Sequence, residues 1–103
     1  MKRIYLSGPM TGLPDLNFPA FASMTDSLRA GGHTVTNPGE LNPDGGTWND
    51  RMRLDIAALM ECDTVATLPG WQESKGAQLE VLIAHHLGMT VVNARDLVSV
   101  KIA

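Results

Sequence analysis

The chain lacks the features that would place it outside the cell, in a membrane or on nucleic acid. Its one cysteine, Cys62, cannot close an internal disulfide, which excludes a cross-linked secreted scaffold and fits a reducing compartment. The eight basic residues form no run and the formal net charge is −3. A surface for duplex DNA would show a basic patch or stripe, so polymeric nucleic acid is not an expected partner. A single small phosphorylated ligand stays compatible, because backbone N–H groups at a helix start hold an anion without such a patch. No apolar stretch approaches the length of a membrane span. The opening run Lys2-Arg3-Ile4-Tyr5-Leu6 gives way too soon to Ser7-Gly8-Pro9 for a signal peptide. A cytoplasmic protein with no membrane partner is expected. No internal repeat or low-complexity segment interrupts the chain.

What is present is ordinary globular material: 103 residues, 44% hydrophobic, with charges of both signs spread along the length. That is enough for one domain over residues 1–103 with a modest core, and a domain so small is expected to self-associate, as a homodimer or larger. Residues 2–7 read as a β-strand that ends at Gly8-Pro9, and Gly8 to Asn17 as a Gly- and Pro-rich loop. A helix is predicted from about Asn17, with Pro19 in its first turn, to Gly31-Gly32. His33 to Thr36 reads as a second strand closed by Asn37-Pro38-Gly39, followed by a loop from Glu40 to Gly46. Thr47 is placed to cap a helix carrying Met52, Leu54, Ile56, Leu59 and Met60, with Asp50 completing a capping box. Asp63 to Leu68 is a third strand, Ser74 to Leu87 a third helix ending at Gly88, and Met89 to Val92 a fourth strand before a short helical tail.

Strands and helices alternate, and the strands are short and β-branched. The pattern predicts an α/β single-domain three-layer sandwich of the Rossmann or flavodoxin-like kind: a parallel sheet of four to five strands with helices on both faces. In such sheets ligands bind outside the carboxyl ends of the strands. Here those ends are the loops Gly8–Asn17, Asn37–Gly46 and Pro69–Ser74 and the turn near Asn93.

Two carboxylates sit where helical periodicity would put apolar residues. Glu80 has Gly76, Ala77, Ile83 and Ala84 as its helical neighbours. A charge on an apolar face is costly unless paired or used, and the helix N-terminus nearby favours an anion. The residues alone leave two readings: a nucleophilic carboxylate, or a boundary glutamate whose head reaches solvent past Gly76. Asp55, among Arg51, Met52, Ala58 and Leu59, is either a surface ion pair with Arg51 or a second carboxylate facing the same pocket. Trp48 and Trp71, beside the ligand-side loops, either stack on a base or cover a core edge. His85 and His86 lack the spacing and the partners for a metal set with Cys62, and no metal is expected. Met10, Met24, Met52 and Met60 read as packing.

Over nearly its whole length the chain resembles the nucleoside 2-deoxyribosyltransferase-like superfamily, in particular a branch of small bacterial and phage proteins. The likeness begins in Ile4-Tyr5-Leu6-Ser7-Gly8-Pro9, similar to the family's opening strand and Tyr-x-x-Gly loop. It continues through Leu28-Arg29-Ala30-Gly31-Gly32-His33-Thr34-Val35 and the pair Asp55 and Asp63. Its most specific part is Gly76-Ala77-Gln78-Leu79-Glu80-Val81-Leu82-Ile83-Ala84, a glycine with a glutamate four positions on in a small-residue helix.

The resemblance implies an enzyme acting at the glycosidic carbon of a deoxynucleotide, with Glu80 as nucleophile, Asp55 as the acid beside it and Tyr5 as the active-site tyrosine. Substrate contacts are expected from Gly8, Pro9, Thr11 and Gly12 in the first loop, and from Ser74, Gly76 and Trp71 near the third helix. The family's nucleoside transferases carry an acidic residue at the place of Ser74, where its nucleotide N-hydrolases carry serine, so a 5′-monophosphate is the implied substrate. Ser74 is in any case a fitting N-cap. The hydrolases' first-loop arginine and serine are replaced here by Thr11 and Pro9. No cofactor is implied, and a neighbouring subunit is expected to complete the site. Two other functions fit the fold: a cytidylate hydroxymethylase using a folate donor, and a non-catalytic module that sequesters a nucleotide.

Overall fold

The computed structural model describes residues 1–42 and 46–98. Along them run β1 (Arg3–Ser7), α1 (Phe18–Ala30), β2 (Thr34–Thr36), α2 (Pro38–Leu41), α3 (Trp48–Leu59), β3 (Thr64–Thr67), α4 (Lys75–His86) and β4 (Thr90–Asn93). Short 3-10 turns at Trp71–Glu73 and Ala94–Leu97 follow β3 and β4. All pairings are parallel, in the order β2-β1-β3-β4, with Ile4 between Val35 and Thr64 and Val65 opposite Val91. The sheet thus has four strands among the described residues, and no helix of these is long and apolar enough to cross a membrane.

Side chains alternate across a strand, and this sorts the sheet into two faces. Ile4, Leu6, Val35 and Ala66 point to one side and pack with Phe21 and Leu28 of α1. Tyr5 and Val65 point to the other and meet Leu59 of α3 and Val81 and Ala84 of α4. The spacing of Phe21, Thr25 and Leu28 gives α1 its buried stripe. The hydroxyl of buried Thr25 donates back to the Phe21 carbonyl at 2.7 Å, so no polar atom is stranded there.

The caps act as the sequence predicts, with one exception. Thr47 Oγ1 accepts from the Asp50 backbone N–H at 3.1 Å, and Ser74 Oγ accepts from that of Ala77 at 3.3 Å. The reciprocal half of the capping box is missing: Asp50 is exposed and is one atom-length shorter than the glutamate that usually reaches back.

Two stretches expected to be loops have structure of their own. Asn37 does not merely close β2. Its side chain accepts from Gly39 N–H at 2.8 Å, and Pro38 supplies a helix-ready φ, so Pro38–Leu41 forms the one-turn helix α2. Four residues are too few to show a helical period, which is why the element is invisible as a pattern. Arg29 holds it in place by donating to Glu40 at 2.7 Å and to the Val35 carbonyl at 2.9 Å. Residues 43–45 of the expected loop lie outside the described residues. In the loop after β1, Asp15, Leu16 and Asn17 all have positive φ (51°, 53° and 60°), and Asn17 Nδ2 donates to the Pro9 carbonyl at 3.0 Å. Asp and Asn are the non-glycine residues that most readily adopt this conformation, and Asn17 has its side-chain hydrogen bond to help; Leu16 has no such aid.

The chain leaves β1 for β2 on one side, then crosses back over β1 to reach β3 on the other. The crevice at the carboxyl ends of β1 and β3 is therefore the topological switch point of the sheet. Gly8 makes that crevice possible. A Cβ there would stand 2.7 Å from Leu68 Cβ, with backbone-anchored atoms on both sides. Gly8→Ala is expected to lower stability by about 1–3 kcal/mol, as overpacking does. Urea unfolding should show this as a lower midpoint with an unchanged slope.

Candidate active site

Strand alternation places Tyr5 and Ser7 on the same face of β1, two residues apart and both turned toward α4. On α4 the inward stripe is Ala77, Glu80, Val81 and Ala84, so a glutamate occupies a core position. It is only 4% exposed. Tyr5 Oη donates to Glu80 Oε2 at 2.7 Å and Ser7 Oγ donates to Oε1 at 2.7 Å. The boundary reading, with the head passing Gly76 into solvent, does not hold. Space at Gly76 is taken by α3: a Cβ there would lie 3.2 Å from Met52 Sδ and 3.7 Å from Trp48 Nε1.

Burial pushes the Glu80 carboxyl up to about 7, against the pull of the Tyr5 and Ser7 hydrogen bonds, and the Asp55 charge adds to the rise. Burial, with Glu80 next in effect, holds the Tyr5 phenol well above its ordinary value, so it remains a donor. Asp55 is the second carboxylate of the site. It is 6% exposed, and its Oδ1 accepts from Asn42 Nδ2 at 2.8 Å. Burial raises it to about 6, opposed by the Asn42 hydrogen bond and by Arg51. No ion pair joins Asp55 to Arg51 among the described residues, so the surface-pair reading fails as well. Arg51 Nε is buried and has no hydrogen-bond partner among them.

Both carboxylates open on one cavity of about 810 Å³, within the usual range for a small-molecule site. Gly8, Pro9, Met10 and Thr11 form its wall after β1, and Pro69 and Gly70 its wall after β3. Ser74, Lys75, Gly76 and Ala77 close it at the start of α4, and Trp48, Arg51 and Met52 along α3. Leu13, Phe18, Phe21, Pro38, Asn42, Asn49 and the acidic Glu73 complete the lining. The Lys75 ammonium lies 4.2 Å from the centroid of the Trp48 ring, a cation–π contact at the edge of the cavity.

The structure thus brings together Glu80, Asp55, Tyr5, Gly8, Pro9, Thr11, Ser74 and Gly76. It does not bring Trp71 or Gly12 with them. Gly70, at a φ of 87°, turns the chain, and the 3-10 turn beginning there carries Trp71 toward β4. There it packs on the cluster of Tyr5, Leu59 and Val65 and borders a separate depression with Thr67 and Val91. Trp48 has the lining position instead. Gly12 is exposed in the first loop and outside the lining. Asp63 is also remote from the site: at the opposite end of the sheet it accepts from Arg3 N–H and Thr64 Oγ1 and ties β1 to β3. His85 and His86 are exposed on α4, and no three His, Cys, Asp or Glu side chains gather as a metal set among the described residues.

Sequence reasoning assigned no role to Ser7 or Asn42, and to Arg51 only that of an ion-pair partner for Asp55. Ser7 had a signal, since alternation from Tyr5 puts it on the same face. Asn42 had none, because its place depends on α2.

The chain belongs to the family described as a domain of unknown function (DUF4406), whose profile matches residues 2–93. That span contains both carboxylates and every cavity-lining residue named above. No curated protein matches the chain.

A carboxyl whose folded value is raised binds its proton more tightly in the folded than in the unfolded state. Stability therefore falls as pH rises from the ordinary value of 4.5 through about 7 for Glu80. The full effect is on the order of 3 kcal/mol. Gln at this position keeps an acceptor for Tyr5 and a donor for Ser7 while removing the charge. Glu80→Gln is expected to be more stable than the native protein at pH 8, with the difference vanishing near pH 4. Thermal midpoints at both pH values check this, and a variant less stable at pH 8 would contradict it.

Proposed function

We propose that the protein cleaves the N-glycosidic bond of a 2′-deoxynucleoside 5′-monophosphate, releasing the base and 2-deoxyribose 5-phosphate. The observation that carries this reading is Glu80: a buried carboxylate at the switch point, held at both oxygens by hydroxyl donors, beside a second carboxylate in a ligand-sized cavity. A glutamate that served only packing would gain nothing from a position that raises its own ionisation cost.

A deoxyribose has no 2-hydroxyl, and its C1′ readily takes on oxocarbenium character. An oxygen of Glu80 forms a bond to C1′ as the bond from C1′ to the base nitrogen breaks, and the Asp55 carboxyl gives its proton to the departing base. Water then attacks C1′, its proton passes to the Asp55 carboxylate, and Glu80 departs ionised. Tyr5 and Ser7 keep the nucleophile in one orientation throughout. A second base in place of water would make the same intermediate a transfer. For the phosphate, Arg51 and Lys75 supply positive charge within the cavity, and Ser74 and Gly76 lie at the start of α4, where N–H groups favour an anion. The apolar walls, with Trp48, suit a base. We place the protein in the cytoplasm, where its single thiol stays reduced, and expect a homodimer or larger assembly.

The test is a chromatographic assay of the native protein and Glu80→Ala against each deoxynucleoside and its monophosphate. Free base should appear from one or more monophosphates, and the variant should lose activity by on the order of a thousandfold or more. Binding by calorimetry without release of base would replace this reading with that of a nucleotide-sequestering module. Catalysis also requires Glu80 ionised and Asp55 protonated, with values of about 7 and about 6. The rate should accordingly peak between these values and fall on both sides. A rate rising steadily to pH 9 would exclude Asp55 as the acid.

A further inference from the structure

Asn42 is 8% exposed, at the C-terminal end of α2, and it lies outside the roles assigned so far. Its side-chain amide has two donors and one acceptor, and a buried amide can be placed either way round. Here the surroundings decide. The Pro38 carbonyl, which can only accept, lies 3.3 Å from Nδ2, so the NH2 end of the amide faces it. The same NH2 group donates its other hydrogen to Asp55 Oδ1 at 2.8 Å. Both donors of Asn42 are thereby committed, and Oδ1 of Asp55 is committed as an acceptor. A proton on Oδ1 would point at an N–H that cannot accept it.

We propose that Asn42 is the positioning residue of Asp55: it holds Oδ1 as an acceptor and so confines the transferable proton to Oδ2. The proposal rests on the reading of Asp55 as the acid of a glycosidic cleavage. It gives α2 a purpose in the fold. The helix is one turn long, begun by the Asn37 cap and tethered by Arg29 to Glu40, and the carbonyl of its first residue, Pro38, orients the amide that orients the acid. Asn42 itself touches no reacting atom in this scheme.

Three other groups act on the Asp55 carboxyl. Arg51, one turn back on α3, favours its ionised form; Glu80 from α4 and Tyr5 from β1 are electrostatically linked to it across the site. The Asn42 hydrogen bond also favours the ionised form. Removing it must therefore make Asp55 hold its proton to higher pH, whereas a loss of the folded state would return the carboxyl toward its ordinary, lower value.

The experiment follows the Asp55 carboxyl by carbon-detected NMR titration in a Glu80→Gln background, where the neighbouring carboxyl no longer titrates. It is done with and without Asn42→Ala, and kinetics are measured for Asn42→Ala alone. The Asp55 midpoint should move up. The lower of the two midpoints of the rate profile, which belongs to Asp55 in this order of values, should move up with it, and kcat should fall by on the order of ten- to a hundredfold with KM little changed, as for a misplaced catalytic group. Asn42→Leu, of nearly the same shape and uncharged, removes the donor without adding a charge and should raise the midpoint too, so the test survives if the alanine variant folds poorly. An unmoved or lowered midpoint overturns the proposal even if kcat falls, because Asn42 would then be structural only. If the native protein cleaves no substrate, the proposed function fails, and the titration still decides whether Asn42 controls Asp55.

Discussion

Burying one carboxyl group between β1 and α4 imposes a demand that much of the domain is arranged to meet. Glu80 has no cation within ion-pair distance among the described residues; two neutral hydroxyls take that part. Hydroxyl donors stabilise the ionised form without fixing it, and burial opposes them, so the group is left close to neutrality at about 7. An arginine in their place would hold the carboxylate permanently ionised and would blunt it in the nucleophilic role proposed for it. The donors must also stay where they are. Both come from β1, which is paired on each side, to β2 and to β3, and an interior strand cannot shift without breaking two ladders.

The two faces of the sheet divide the remaining work. On the α1 side, Ile4, Leu6, Phe21, Leu28, Val35 and Ala66 form an apolar cluster with few polar interruptions. On the other side, the cluster of Tyr5, Leu59, Val65, Val81 and Ala84 stops short of the strand ends, where Ser7, Glu80 and Asp55 begin. A domain of this size has little stability in excess. Concentrating dry packing on one face lets the other tolerate buried carboxyls, and the same strand serves both: Ile4 and Leu6 anchor β1 in the core while Tyr5 and Ser7 reach the site.

The fold was readable because its signals are repeated: apolar runs bounded by Gly and Pro, helix caps at Thr47 and Ser74, a glycine after α4. The parallel order then located the ligand-side loops before any distance was known. Within the site, legibility varied with sequence distance. Glu80 stood out as a charge among small residues on one helix, although periodicity alone did not say whether it turned inward. Tyr5 stood out only through the resemblance. Asn42 was hidden, since its position depends on a one-turn helix that leaves no periodic trace. Trp71 misled because neighbourhood in sequence suggested neighbourhood in space, whereas the backbone turn at Gly70 carries it toward β4. Pattern reports which face a residue takes on a regular element; it is silent where a single φ sets the direction.

The pairing of Glu80 with Asp55 makes chemical sense because their surroundings are unequal. Glu80 is satisfied by two hydroxyls on a rigid strand, while Asp55 is held at one oxygen by an amide and keeps the other. Two carboxyls with the same environment would compete for one proton and share one role. In the proposed reaction, unequal hydrogen bonding would let one serve as nucleophile with both oxygens held in a fixed orientation, and the other as a donor at a single atom. Their values of about 7 and about 6 lie in the opposite order to these roles, so the working form is a minority of the free protein. In that proposal a phosphate bound near Arg51 would shift the balance in the useful direction: it would draw off the positive charge that favours ionised Asp55, and the acid would keep its proton nearer to neutral pH. Substrate charge and acid catalysis would then be coupled through one arginine in the first turn of α3, and a nucleoside without phosphate would forgo that coupling.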